Sequence, residues 1–174
     1  MQLINVKEDL ANKIEEALTS DQFAWYFAPS TNSPLKNAPS KTVDGYQFSH
    51  VFYKDEKINS PHFYLIEDLF HATIISQIKQ ILRVKGNFLS NLTRSSKENF
   101  QYPHQDVKSP QYKSFLYYVN DADGDTLFFD KNYKIKKRIK PKKGQAILFN
   151  SNCVHATTFP VKTDYRIVIN TVFK

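Results

Sequence analysis

The chain has 174 residues, 41% of them hydrophobic, and its 24 Lys and Arg outnumber 17 Asp and Glu to give a net charge of +7. That length and apolar share suit one domain with its own core and leave no room for a second. A single Cys excludes an internal disulfide and points to a reducing compartment, and no stretch nears the ~18 apolar residues of a membrane span or the apolar core of a signal peptide, so a soluble cytoplasmic protein is expected.

Asn5 with Glu8 predicts a capping box, and Val6, Leu10, Ile14, Ala17 and Leu18 then recur at helical spacing, so residues 6–19 read as an amphipathic helix. Residues 29–41, rich in Pro, Ser and Asn without a period, read as a long lid-like loop. Ser60-Pro61 predicts the N-cap and first residue of a second helix running to about Lys79. From Ile81 the pattern turns to β, with strands near 81–92, 112–120, 125–130, 133–140, 145–150 and 165–173. Turn signals separate them at Ser109-Pro110, Asp121-Ala122-Asp123-Gly124 and Pro141-Lys142-Lys143-Gly144. Short strands so spaced predict a sandwich or barrel. The reading is therefore a single domain, 1–174, with 1–80 as helical support and lid-like loops and 81–174 as the β core.

Chemistry concentrates in Tyr102-Pro103-His104-Gln105-Asp106, with His155 forty-nine positions after Asp106 and Arg166 eleven further on. Positions i and i+2 of an extended segment share a face, so His104 and Asp106 can hold one metal ion while His155 arrives from a distant strand. Two imidazoles and one carboxylate suit ferrous iron, occupying one octahedral face and leaving three positions for a co-substrate and O₂. Arg166 opens the apolar run Ile167-Val168-Ile169, where a buried cation needs an anionic partner, and its fork fits the far carboxylate of 2-oxoglutarate. Cys153 reads as a small buried residue rather than a thiolate ligand, and His50, His62 and His71, each without a second ligand at metal spacing, read as structural or exposed. Lys131 to Lys143 carries eight basic residues, a possible nucleic-acid footprint. With Tyr133 as its one aromatic, it reads instead as a solvated hairpin with Ile135 and Ile139 turned inward.

On these residues the chain resembles the 2-oxoglutarate- and Fe(II)-dependent dioxygenases, in particular their prolyl-4-hydroxylase-like branch, over roughly residues 81–174. Phe115-Leu116-Tyr117-Tyr118-Val119-Asn120 looks like the strand that follows H-x-D in that family, which places Leu116 and Tyr118 in the co-substrate pocket. Gly124-Asp125-Thr126-Leu127-Phe128-Phe129 is similar to the family's Gly-Gly strand, with Leu127 at the pocket position and Asp125 in place of the second glycine. Pro141 to Phe149 looks like the strand leading to the distal histidine. Leu82 to Asn91 resembles the first core strand, with Asn91 where relatives carry a tyrosine. The resemblance implies a distorted double-stranded β-helix of jelly-roll type with N-terminal helices outside it. It further implies Fe(II), 2-oxoglutarate and O₂ as cofactors, and hydroxylation with release of succinate and CO₂. The substrate stays open among a prolyl residue, another amino-acid side chain, a free amino acid and a nucleobase. Two other readings stand beside it: a non-catalytic β-barrel module binding nucleic acid or another polyanion through 131–143, and a cupin-like metal enzyme in which Arg166 is a structural ion-pair partner.

Overall fold

The computed structural model describes residues 1–30, 39–91 and 98–174. In chain order the elements are β1 (Gln2–Asn5), α1 (Glu8–Thr19), β2 (Tyr26–Ala28), β3 (Gln47–Lys54), β4 (Lys57–Ile58) and α2 (Phe63–Thr73). A 3-10 turn (Ile75–Gln77) then leads to β5 (Ile81–Ser90), β6 (Lys113–Tyr118), β7 (Thr126–Phe129), β8 (Ile135–Ile139), β9 (Gln145–Asn150), β10 (His155–Thr157) and β11 (Tyr165–Phe173). An eight-stranded sheet runs β1-β9-β6-β11-β5-β3-β2 with β4 beside β3, and a three-stranded sheet runs β10-β7-β8. These two antiparallel sheets face one another as a double-stranded β-helix with two helices outside it.

Both faces of the large sheet are covered, which is why β6 is a continuous buried run rather than an alternating one. On the outer face, Ile14 and Leu18 of α1 and Leu65, Ile66 and Leu69 of α2 pack against Phe115, Tyr117, Leu148, Ile167 and Ile169. On the inner face, Leu116, Tyr118, Ile147, Phe149 and Val168 meet Phe128 and Ile139 of the small sheet. Strand parity thus fixes the cavity side of β11: with Ile167 and Ile169 turned to the helices, Arg166, Val168 and Asn170 turn inward.

Several expectations are corrected. Asn5 caps nothing: it ends β1, paired with Gln145, and α1 begins at Glu8 after Lys7, which makes no side-chain cap. The β1–β9 ladder, continued by Val6 N–H to the Gly144 carbonyl at 2.7 Å, draws Asn5 into the sheet. The second helix ends at Thr73, not Lys79. The N-terminal third also supplies four strands of the large sheet, a role beyond helical support. Residues 31–38 of the expected lid loop lie outside the described residues. Ile135 is exposed whereas Ile139 is buried, because a register shift between Phe128 and Phe129 interrupts the β7–β8 ladder.

Candidate metal centre

His104 and His155 are joined directly. Each backbone N–H donates to the other's carbonyl at 2.9 Å, an isolated antiparallel bridge that sets the two rings 4.4 Å apart, centroid to centroid. In both rings Nδ1 lies against a carbonyl two residues earlier, Tyr102 for His104 at 3.2 Å and Cys153 for His155 at 2.9 Å. A carbonyl only accepts, so Nδ1 carries the proton and the lone pair sits on Nε2. Asp106 is held by three strands of the large sheet. Ser114 Oγ of β6 donates to its Oδ2 at 2.6 Å, Asn170 Nδ2 of β11 to Oδ1 at 3.0 Å, and Arg83 of β5 approaches Oδ1 at 3.4 Å. Oδ2 lies 3.8 Å from His155 Nε2. Ligand atoms of His104, Asp106 and His155 all fall within 4.8 Å of one another, and among the described residues no other group of three His, Cys, Asp or Glu is so placed.

Burial, and then the neighbouring His155, pushes His104 down to about 4, so its imidazole is neutral at physiological pH. For Asp106 burial acts in the opposite sense, but His155, the Ser114 hydrogen bond, His104 and Arg83 together hold its carboxyl below the usual carboxylate range. Two imidazoles, each with Nδ1 held by a backbone carbonyl, and a carboxylate therefore stand ready as donors. Such a set fits a ferrous ion with one octahedral face left open.

A cavity of about 220 Å³ opens beside this cluster. Arg166 is buried at its far end, 3% exposed, with Nε donating to the Gly124 carbonyl at 2.8 Å and Nη2 to Thr126 Oγ1 at 2.9 Å. Neither acceptor is charged. Among the described residues Arg166 pairs with no carboxylate and Nη1 has no hydrogen-bond partner. The Tyr118 ring lies 5.7 Å from the guanidinium, and its hydroxyl also donates to Thr126 Oγ1, at 2.9 Å. With both lone pairs of Thr126 Oγ1 engaged, its own O–H remains to point at a ligand. Gly124 is required where it stands: a Cβ there would meet the Thr158 carbonyl oxygen at 2.8 Å and Arg166 Cδ at 3.0 Å. Asp125 is tolerated because it has no positive φ, and it pairs with Arg138 at 3.1 Å.

Leu116 lines the cavity. Tyr118 sits behind it, against Arg166 and Thr126. Leu127 is turned away, packed with Phe100, Phe129 and Ala156, and the inward residue of β7 is its neighbour Thr126. Asn91 lies beyond the end of β5, where its amide donates to the Val161 carbonyl at 2.9 Å, and Asn87 and Leu89 line the cavity in its place. Alternation along Thr126-Leu127-Phe128 was the signal for Thr126, but only the partner sheet shows which parity points inward. Cys153 contributes its carbonyl, and His50 is a buried strut between the Ala24 carbonyl and Ser60 Oγ, both at 2.7 Å.

Residues 90–174 match the model of the 2OG-Fe(II) oxygenase superfamily. A prolyl-4-hydroxylase of Pseudomonas putida is similar in fold, with 12% identity over 99% of this chain and 91% of that one and a TM-score of 0.58. A viral collagen prolyl hydroxylase from Paramecium Bursaria Chlorella virus-1, solved with 2OG, gives 16% identity over 98% and 94% at a TM-score of 0.53. A Trichoplax adhaerens prolyl hydroxylase, solved with a peptide fragment of the hypoxia inducible factor oxygen degradation domain, gives 14% over 99% and 82% at 0.61. At these identities the likeness is one of fold. No curated protein sequence matches the chain.

Proposed function

We propose that this chain, which over residues 90–174 belongs to the 2OG-Fe(II) oxygenase superfamily, holds its ferrous ion with His104, Asp106 and His155 and the distal carboxylate of 2-oxoglutarate with Arg166 and Thr126. The protein is a dioxygenase that uses Fe(II), 2-oxoglutarate and O₂. When bound, iron and co-substrate supply oxidative decarboxylation to succinate and CO₂ coupled to oxygenation of a substrate C–H bond. The chain's own residues orient and insulate. Carbonyls of Tyr102 and Cys153 fix the imidazole tautomers, and Ser114 and Asn170 fix the Asp106 rotamer. A single carboxylate offsets half of a 2+ ion, so the centre still attracts a dianion.

Arg166 is the observation that carries this reading. A buried guanidinium with only neutral partners is strongly disfavoured unless an anion completes it. Similarity to prolyl hydroxylases, one of them with a peptide bound, supports an aminoacyl substrate, as a residue in a peptide or as a free amino acid. The polyanion-binding alternative has less behind it, since no residue of 131–143 lines the cavity. Metal analysis with succinate measurement tests the proposal. Anaerobically loaded protein should bind one Fe(II) per chain and form succinate from 2-oxoglutarate, and His104→Ala and His155→Ala should each lose stoichiometric iron. Full retention of iron by both variants refutes the ligand assignment.

A further inference from the structure

The inner face of β5 carries Arg83, Lys85 and Asn87 in succession, while Val84 and Phe88 turn to the helix-covered side. Central positions of a sheet covered on both faces are ordinarily apolar. Here three consecutive inward positions are polar and two of them are cationic. We propose that Arg83 and Lys85 form a second oxyanion subsite at the metal end of the cavity, and that the primary substrate is a small molecule presenting a carboxylate or phosphate to it. This rests on the dioxygenase reading and narrows its substrate class.

Charge is the first argument. The cavity is lined by Arg83, Lys85 and Arg166 against the one carboxylate Asp106. The two positive charges of a ferrous ion and the two negative charges of 2-oxoglutarate cancel, so the loaded site keeps the excess of three cations over one anion. Lys85 has no carboxylate partner among the described residues, and the segments 31–38 and 92–97 contain no Asp or Glu. Burial, then the adjacent Arg83 charge, lowers the affinity of Lys85 for its proton, a penalty that a bound anion relieves.

Unpartnered polar atoms are the second argument. Arg83 Nε and Gln101 Nε2 are N–H donors buried without a hydrogen-bond partner, and both residues line this cavity. Arg83 reaches Asp106 only at 3.4 Å, which leaves most of its donor capacity unused.

Position separates this subsite from that of Arg166. Asn170 pairs with Lys85 and Arg166 with Leu89, so the two cationic ends lie about 13 Å apart along the strands. Asn170 also holds Asp106, so the metal cluster stands at the Lys85 end.

The test uses full-length protein loaded with Mn(II) and 2-oxoglutarate, read by calorimetry and thermal shift. The probes are free amino acids, their methyl esters, and glycerol phosphate. Amino acids or glycerol phosphate should bind while the esters do not, and the two acids between them identify which oxyanion is used. Lys85→Met should weaken the bound acid by about tenfold or more, and Lys85→Arg should largely restore it. Affinity for 2-oxoglutarate should fall by less than affinity for the acid in both variants, since the Arg166 anchor stands about 13 Å from Lys85 along the strands. Binding of esters and acids alike, binding of neither acid, or a Lys85→Met variant that binds acids normally overturns the subsite. Wild-type protein that binds no 2-oxoglutarate at all overturns instead the dioxygenase reading on which it rests, and thermal shift on Mn(II)-loaded protein still reports the acid preference.

Discussion

Arg166 shows how much one side chain can carry. Its sequence position predicted an anionic partner, and its surroundings add the reason that Lys cannot replace it: Nε and Nη2 are spent on the Gly124 carbonyl and Thr126, so the fork is already oriented before any ligand arrives. Arg166→Lys keeps the charge and loses that orientation. Affinity for 2-oxoglutarate, measured by calorimetry on Mn(II)-loaded protein, should fall by about tenfold or more, roughly 1.5–3 kcal/mol. An unchanged affinity would make the arginine a structural residue. Thr126 was not singled out from the sequence, whereas Leu127 was. Adjacent strand residues exchange faces when the parity is reversed, and no local pattern in a strand buried on both sides reveals which face is which.

Elements are tied together at this end of the barrel by Asp123, in the loop between β6 and β7. It accepts the backbone N–H groups of Val161, Lys162 and Thr163 and the Thr163 hydroxyl, locking the loop that leads into β11 and so the base of Arg166. Although burial opposes it, these donors hold the carboxyl well below the usual carboxylate range. With the folded value depressed, the stabilisation is present above the unfolded carboxylate pKa near ~3.9 and is lost as pH falls toward the folded one. Asp123→Asn should therefore cost about 1 kcal/mol at pH 7, the partly solvated site reducing the figure, and the gap to wild type should narrow in denaturant titrations below about pH 4. At the edge of the small sheet, β8 exposes Lys136, Lys137 and Arg138, none of which lines the cavity. Neutralising all three should leave 2-oxoglutarate turnover unchanged. Sub-micromolar, steeply salt-dependent oligonucleotide binding that vanishes in the triple variant would revive the polyanion reading.

The whole molecule is clamped at the candidate metal centre, since Asp106 is held from β5, β6 and β11 while His155 stands on β10 of the other sheet. Ligands that bind only the folded state should therefore stabilise it globally. Mn(II) with 2-oxoglutarate at about a hundredfold over its dissociation constant adds roughly 2.7 kcal/mol, or about 5–10 °C in Tm for a chain of this size. A rise confined to metal without any further gain from 2-oxoglutarate would place the co-substrate elsewhere. Much of this was legible in the order of residues: the convergence of His104, Asp106 and His155, the arginine at the mouth of the last strand, and six of the strands all follow from chemistry and periodicity that are local. Strand β3 was legible too, in the alternation Phe48-His50-Phe52, but was not predicted. The false capping box at Asn5, the inward parity of Thr126, the withdrawal of Asn91 to the Val161 carbonyl, and the meeting of Arg83 with Asp106 were not legible. Each depends on which strand lies beside which, and in β11, flanked by β5 and β6 from distant parts of the chain, that pairing is fixed by burial of both sheet faces at once, a condition satisfied only when the whole chain has closed.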